Sequence, residues 1–137
     1  MKKIHKDYLE LDLPEGWNYK EDNETTAIFS DVGDGALTLS FYSATDIQIS
    51  LDEHISIMAK KYIDKNNVEL EHALILDATQ KDQYSICGTG VTSNDWFIKL
   101  WIVAKYPKII VATYLSQDRT NEIKKVEKII KSFRFLI

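Results

Sequence analysis

Apolar and polar residues alternate along the first third of the chain, which is the pattern of β-strands with one buried face. The clearest run covers residues 8–13, where leucine occupies every second position. Residues 26–31 form a shorter run, and residues 36–43 alternate again. The segment DVGDG at residues 31–35 separates these two runs and is typical of a turn. The pattern therefore predicts three strands before any helix.

Two later segments repeat their apolar residues at helical spacing. The first follows Ser50, which together with Glu53 predicts a capping box at the start of a helix. Its inward stripe consists of Leu51, Ile55, Met58, Ala59, Tyr62 and Ile63. The second helix is predicted over residues 119–133. Its inward residues are Ile123, Val126, Ile130 and Phe133.

The rest of the chain favours further strands. Residues 68–76 fit a strand or a helix, and we favour a strand because their apolar residues alternate with Glu69 and Glu71. Residues 82–91, 96–105 and 108–116 predict three more. Short turns between them favour antiparallel pairing. The order of elements predicts an α/β protein of the α+β class, with an antiparallel sheet of about six to seven strands and two main helices packed on it. We expect residues 1–137 to form a single domain.

The most hydrophobic stretch is WFIKLWIVAKYPKIIVATYLS, which begins at Trp96. Three lysines are spread through it, and charged residues within a membrane span are costly. Pro107 lies in the middle and favours a tight turn. The stretch therefore predicts a buried β-hairpin, and we expect no insertion into a membrane.

Strand alternation sorts the side chains of this hairpin onto two faces, provided that Tyr106 pairs with Ile109 and Thr92 pairs with Asp95. One face is aliphatic. The other is aromatic and includes four candidate contact residues for a partner, which are Phe97, Lys99, Trp101 and Tyr114, with Gly88 and Gly90 beside them.

Two interpretations of the aromatic face are open at this point. In the first, a helix covers it and the rings fold over the glycines. In the second, the rings and the glycines form an exposed groove, because large exposed apolar patches usually mark interaction sites and Trp and Tyr are favoured anchors there.

Composition and charge limit the classes of partner. The 137 residues are 45% hydrophobic and carry a net charge of −4, which argues against nucleic acid as a partner. Residues 7–35 have a net charge of −8 and residues 119–134 a net charge of +4, and such asymmetry is typical of solvated faces or of steering toward a charged partner. A single cysteine and the absence of a recognisable export signal predict a cytoplasmic protein, if the sequence is complete.

The sequence contains no recognisable catalytic, cofactor or metal motif. Its three histidines, His5, His54 and His72, are far apart and show no ligand-like spacing. Cys87 falls within an alternating strand, where a small buried apolar residue is the simpler interpretation than a nucleophile. We therefore expect no metal, no cofactor and no catalytic residues, although the enzyme question stays open.

The order of elements and the segment LPEGW at residues 13–17 resemble the PsbP-like fold family. This family includes the Ran-binding Mog proteins, DcrB-type bacterial proteins and the Eag adaptors. The helical segments SLDEHISIMAKKYI and EIKKVEKIIKSFRF fit the same arrangement. The resemblance implies an α/β/α sandwich around an antiparallel sheet and a non-enzymatic binding or adaptor role. It transfers no individual functional residue to this chain.

The leading hypothesis is a small cytoplasmic bacterial protein that binds another protein, with Phe97, Lys99, Trp101 and Tyr114 as contacts. The alternative is a small-molecule-binding domain, or an enzyme, with a pocket between helix and sheet near Gly88 and Gly90. A homodimer formed through the aromatic face is a third possibility.

Overall fold

We describe the fold from a computed structural model, which covers residues 2–22, 24–44 and 48–137. Within these residues the chain forms eleven strands and two helices. Their bounds are β1 Lys2–Lys6, β2 Leu9–Leu13, β3 Trp17–Glu21, β4 Thr25–Ser30, β5 Gly35–Ser43, α1 Leu51–Lys65, β6 Glu69–Leu70, β7 Ile75–Gln80, β8 Gln83–Val91, β9 Phe97–Lys105, β10 Lys108–Ser116, α2 Glu122–Lys131 and β11 Arg134–Phe135.

The strands form one large sheet and one small sheet, and all pairings are antiparallel. The large sheet has the order β3-β4-β5-β10-β9-β8-β6, and β7 also pairs with β8, which makes eight strands. The small sheet has the order β1-β2-β11. The predicted α+β class with an antiparallel sheet is confirmed, and the large sheet has more strands than the six to seven expected.

The additional strands lack the alternation that identifies a strand in a sequence. β1 has one buried residue, Ile4, and β3 has one, Trp17. The predicted strand over residues 68–76 is divided in the structure between β6 and β7, with a connecting segment between them.

Both helices occur where their apolar spacing predicts them. α1 begins directly after Ser50, but the Ser50 side chain makes no capping hydrogen bond with the helix, so that part of the capping-box prediction is wrong. α2 is shorter than predicted, since residues 119–121 precede it. Neither helix within the described part of the chain is both long and apolar enough to span a membrane.

The large sheet separates two cores. On one side, the buried residues of α1 pack over β8 and β9, against Ile86, Leu100 and Ile102. On the other side, α2 and the small sheet cover a larger cluster that includes Trp101 and Tyr114. β9 is therefore buried on both faces, which explains why its sequence is almost continuously apolar. β10 is buried on the α2 side and partly exposed on the α1 side from Val111 to Leu115. The predicted hairpin is confirmed, but its predicted register is wrong, because Ile109 pairs with Ala104 and not with Tyr106. The shift is two residues, so each side chain keeps its predicted face.

Arg134 joins the C-terminal strand β11 to β2. Its Nε donates a hydrogen bond to Oε1 of Glu10 at 2.7 Å, and a terminal guanidinium nitrogen donates to Oδ1 of Asp12 at 2.9 Å. These hydrogen bonds, reinforced by the charge of Arg134, lower the pKa of both carboxyl groups below their ordinary values. The folded state therefore favours the ionised carboxylates, which stabilises it where they are charged.

We expect Arg134→Met to lower the melting temperature near pH 7, and the deficit to shrink toward about pH 3. A carboxyl with a lowered folded-state pKa contributes its stability above its ordinary pKa and loses it as the pH falls. Thermal unfolding followed by circular dichroism at both pH values measures the effect. Lys125→Met, on the exposed side of α2, is the control and should change little. A deficit that is independent of pH would contradict the electrostatic explanation.

Candidate binding surface

The four predicted contact residues share one face of the β9–β10 hairpin, as expected, but that face is covered. Phe97, Trp101 and Tyr114 expose only 4%, 6% and 0% of their surface. They pack against Val126, Ile130 and other residues of α2 and the small sheet. Of the two interpretations of the aromatic face, the structure shows the one in which a helix covers it. The alternative prediction, in which Phe97, Trp101 and Tyr114 line an exposed groove, is therefore corrected, because all three side chains are buried.

Specific polar contacts hold α2 on these residues. Lys99 forms an ion pair with Glu127 at 3.3 Å, and its Nζ lies 5.4 Å from the centre of the Trp101 ring. The Tyr114 hydroxyl donates a hydrogen bond to Oε1 of Glu122 at 2.8 Å. Burial, with this carboxylate beside it, raises the pKa of Tyr114 to about 12. Lys99 and Tyr114 therefore connect the sheet to α2 within the fold.

The predicted position of the glycines is wrong because the β8–β9 loop is one residue longer than assumed. The backbone N–H of Thr92 donates to the carbonyl of Trp96 at 2.9 Å, which leaves a loop of three residues. Asp95 ends this loop with a φ of 63°, in the left-handed region. A register shift of one residue moves every side-chain position of a strand to the other face. Gly88 and Gly90 consequently lie opposite Leu100 and Ile98, on the α1 side of the sheet.

The observed register places Cys87 opposite Trp101. Burial raises the pKa of the Cys87 thiol. A raised pKa disfavours the thiolate that nucleophilic chemistry needs. Among the residues that the structure describes, no group of three or more His, Cys, Asp or Glu side chains is placed to hold a metal ion.

A groove between α2 and the β7–β8 edge corresponds in part to the predicted pocket between helix and sheet. It has a volume of about 390 Å³, and its apolar lining includes Trp101, Val103 and Phe133. It lies on the α2 side of the sheet, whereas Gly88 and Gly90 lie on the α1 side. The groove is therefore not the glycine-lined pocket that the sequence predicts.

The largest uncovered part of the sheet lies on the α1 side. α1 packs mainly over β7, β8 and β9 and reaches only the first residues of β10, Ile109 and Val111, so that the rest of β10 and the strands β5, β4 and β3 lie outside its main contacts. The pairing of Thr38 with both Ala27 and Thr113 places these residues on one face. We call this surface the open sheet face, and its members are Asn18, Lys20, Thr25, Ala27, Phe29, Ala36, Thr38, Ser40, Tyr42, Val111, Thr113 and Leu115. All of them are partly or fully exposed.

The open sheet face carries almost no charge. Among its described members only Lys20 is charged, although 28% of the residues in the chain are charged. A second charged residue, Asp22, lies at the outer edge of this face, where its backbone N–H donates to the Thr25 carbonyl at 2.9 Å. The remaining members are hydroxyl-bearing, small or apolar. Depletion of charge with retained aromatic residues is the composition found at the centre of protein interfaces. The sequence contains a signal for this face, since Ala36, Thr38 and Ser40 alternate with buried leucines. The signal is not specific, because ordinary solvated strands also expose threonine and serine.

At one end of the open sheet face lies a pocket of about 340 Å³ between α1 and the β8–β9 loop. We call it the Trp96 pocket, and its lining consists of Tyr62, Asn66, Thr92, Ser93, Asn94, Trp96, Ile98 and Leu115. Tyr62 of α1 and Leu115 of the open sheet face both line this pocket, so α1 borders the open sheet face at this point. Trp96 was part of the hydrophobic run in the sequence, where nothing distinguished it from its buried neighbours.

Comparison with known structures identifies the fold. Cyanobacterial PsbP (CyanoP) from Synechocystis sp. PCC 6803 is similar, with a TM-score of 0.71 and 12% identity over 98% of this chain and 91% of that chain. The Ran-binding protein Mog1p of Saccharomyces cerevisiae is similar with a TM-score of 0.64 and 9% identity, over 98% and 95% of the two chains. The chain has the Mog/PsbP-like fold.

This result confirms the fold that the resemblance to the PsbP-like fold family implied. A protein from Bacteroides thetaiotaomicron has the same fold in about half of its length, with a TM-score of 0.60 and 16% identity over 98% of this chain and 48% of that chain. No family model and no curated protein matches the sequence.

We expect Gly90→Ala to destabilise the protein by about 1–3 kcal/mol, because its new Cβ would collide with the backbone carbonyl of Glu69. Gly88→Ala is the matched control and should cost less. A Cβ there would meet the end of the Leu74 side chain at 2.6 Å, and a side-chain end moves more easily than backbone. Urea denaturation of both variants gives the comparison, and equal losses would contradict it.

We expect Trp101→Ala to lower the free energy of unfolding by about 3–5 kcal/mol, the range for removing a buried aromatic ring. Trp96→Ala should lower it by at most about 1 kcal/mol, because Trp96 exposes 38% of its surface. Denaturant unfolding followed by circular dichroism measures both. A small loss for Trp101→Ala would show that this ring is not a core residue.

Proposed function

We propose that the protein is a non-enzymatic binding module that contacts another protein through its open sheet face. The observation that carries this proposal is the open sheet face itself, where Lys20 is the only charged residue among the described members. A sheet surface without a helix over it exposes apolar side chains such as Phe29 and Leu115 to water. A partner that covers them gains roughly 25 cal/mol for each Å² of apolar surface buried.

The pattern of neighbouring exposed rings supports the same surface. Tyr42 lies at one end of the open sheet face and exposes half of its surface, and Trp96 borders the other end. Tyr and Trp are the residues most often found as interface anchors, because a large ring buries much area for few rotatable bonds. The sheet between them is held rigid by pairing on both sides of β10 and β5.

Fold-level similarity agrees with a binding role. Mog1p, which shares the fold over nearly the whole length of both chains, is a Ran-binding protein. At 9% identity this similarity transfers neither the partner nor the contact residues. The proposal includes a role as an adaptor in a bacterial cytoplasm. Its contact surface is the open sheet face, in place of Phe97, Trp101 and Tyr114, which are buried.

A photo-crosslinking amino acid at Thr38 tests the proposal in cells that naturally produce the protein. Thr38 lies at the centre of the open sheet face, between Ala27 and Thr113. We expect a discrete adduct from this position and none from the same cross-linker at Lys125 on α2. An adduct between two copies would identify the partner as the protein itself. Adducts from Lys125 alone would contradict the surface, and none from either position would contradict the binding function.

A charge placed on the open sheet face should weaken binding without unfolding the protein. We expect Thr38→Glu to lower the yield of partner captured with the tagged protein by at least about tenfold, since an unpaired charge is costly in a neutral interface. Ala78→Glu, on the exposed strand β7, is the matched control and should leave capture unchanged. Equal losses in both variants would point to a general effect of negative charge.

A further inference from the structure

We propose that the Trp96 pocket holds an uncharged apolar side chain from an extended segment of the partner. This inference rests on the proposed binding function and names the chemistry of the partner at one end of the open sheet face. The pocket and that face share Leu115, so a chain that crosses the sheet from β5 to β10 reaches the pocket directly.

The lining of the pocket selects against charge. None of its eight described lining residues is charged. A charged side chain entering such a pocket would lose its hydration without gaining an opposite charge, which is unfavourable. Ile98 and Leu115 provide aliphatic surface, and the rings of Tyr62 and Trp96 provide aromatic walls. This lining suits an aliphatic side chain, an aromatic ring or a proline.

The position of Trp96 is fixed by its loop. Its backbone N–H donates to the Thr92 hydroxyl at 3.2 Å, and its carbonyl accepts from the Thr92 backbone N–H at 2.9 Å. An exposed ring on a pre-formed loop loses little conformational entropy when a partner covers it. The other two tryptophans, Trp17 and Trp101, are both buried in the core on the α2 side.

Neutral polar groups at the pocket favour a peptide as the occupant. Asn66 uses one N–H to donate to the Tyr62 carbonyl at 2.9 Å. A side-chain amide also has a second N–H and an oxygen, which match the carbonyl and N–H of an extended backbone. Ser93 and Asn94 add exposed hydroxyl and amide groups. At about 340 Å³ the pocket is near the lower limit for small-molecule sites, a size that suits one or two side chains.

Selection from a library of random short peptides displayed on phage tests the inference with the full chain as bait. We expect enriched peptides to be uncharged around a shared apolar residue. Synthetic copies should bind Trp96→Ala at least about tenfold more weakly than the unmodified protein. Leu115→Lys, which places a charge in the pocket, should have the same effect. Tyr19→Ala is the matched control, because Tyr19 exposes 40% of its surface but lies on the other face of the sheet.

The outcomes separate the two proposals. Enriched peptides that are acidic or basic, or that bind Trp96→Ala as well as the unmodified protein, would overturn the inference. Failure to enrich any peptide would also overturn it. Binding of oligosaccharides on a glycan array that depends on Trp96 would assign the pocket to carbohydrate instead. If the cross-linker at Thr38 captures a partner and Trp96→Ala still binds it fully, the open sheet face stands and the pocket inference fails.

Discussion

Burial of β9 on both faces, at the centre of the large sheet, is the constraint on which the rest of the structure depends. Leu100 and Ile102 must be covered on one side, and Trp101 and Tyr114 on the other. A sheet that is apolar on both faces is stable only as the middle layer of three. α1 supplies one outer layer, and α2 with the small sheet supplies the other. Lys99 is tolerated within the apolar face because Glu127 of α2 pairs with it.

The two outer layers differ in extent, and this difference produces the candidate binding surface. The small sheet and α2 together cover the β3 to β9 region on one side, where the buried cluster extends from Trp17 to Trp101. On the other side α1 is a single helix and packs over β7, β8 and β9. An α-helix with its side chains is only about 10–12 Å wide, and strands lie about 4.8 Å apart, so one helix covers two to three strands. The remaining strands have an open face because one helix is too narrow to cover the whole sheet.

The composition of the strands follows the same division. β5 alternates Leu37 and Leu39, which are buried, with Thr38 and Ser40, which are partly exposed on the open sheet face. Threonine and serine keep such a face compatible with water, and their small size also keeps it flat enough for a partner to approach. The near absence of charge distinguishes it from the acidic turns of the first third of the chain and from the lysine-rich side of α2.

The positions of most elements followed from local periodicity. Alternation in β2, β5 and β8 and the helical stripe of α1 are properties of adjacent residues, and they identify buried and exposed positions without knowledge of the fold. Strands with a single buried residue, such as β1 and β3, have no such signal. They are recognisable as strands only from their pairing with other strands, which the local sequence does not show. The hairpin from Trp96 to Ser116 was predictable for the same local reason, since Pro107 and the lysines break an otherwise apolar run.

The sequence by itself determined the fold class, the helices, the β-hairpin and the sharing of one face by Phe97, Lys99, Trp101 and Tyr114. Only the tertiary structure decided that this face is interior and that the surface available to a partner lies on the opposite side. An aromatic stripe has the same pattern whether a helix or water covers it, because the covering element is remote in the chain. Asp95 is the additional residue in the β8–β9 loop. Because strand register depends on loop length, a loop longer by one residue moves Gly88 and Gly90 from the α2 side of the sheet to the α1 side.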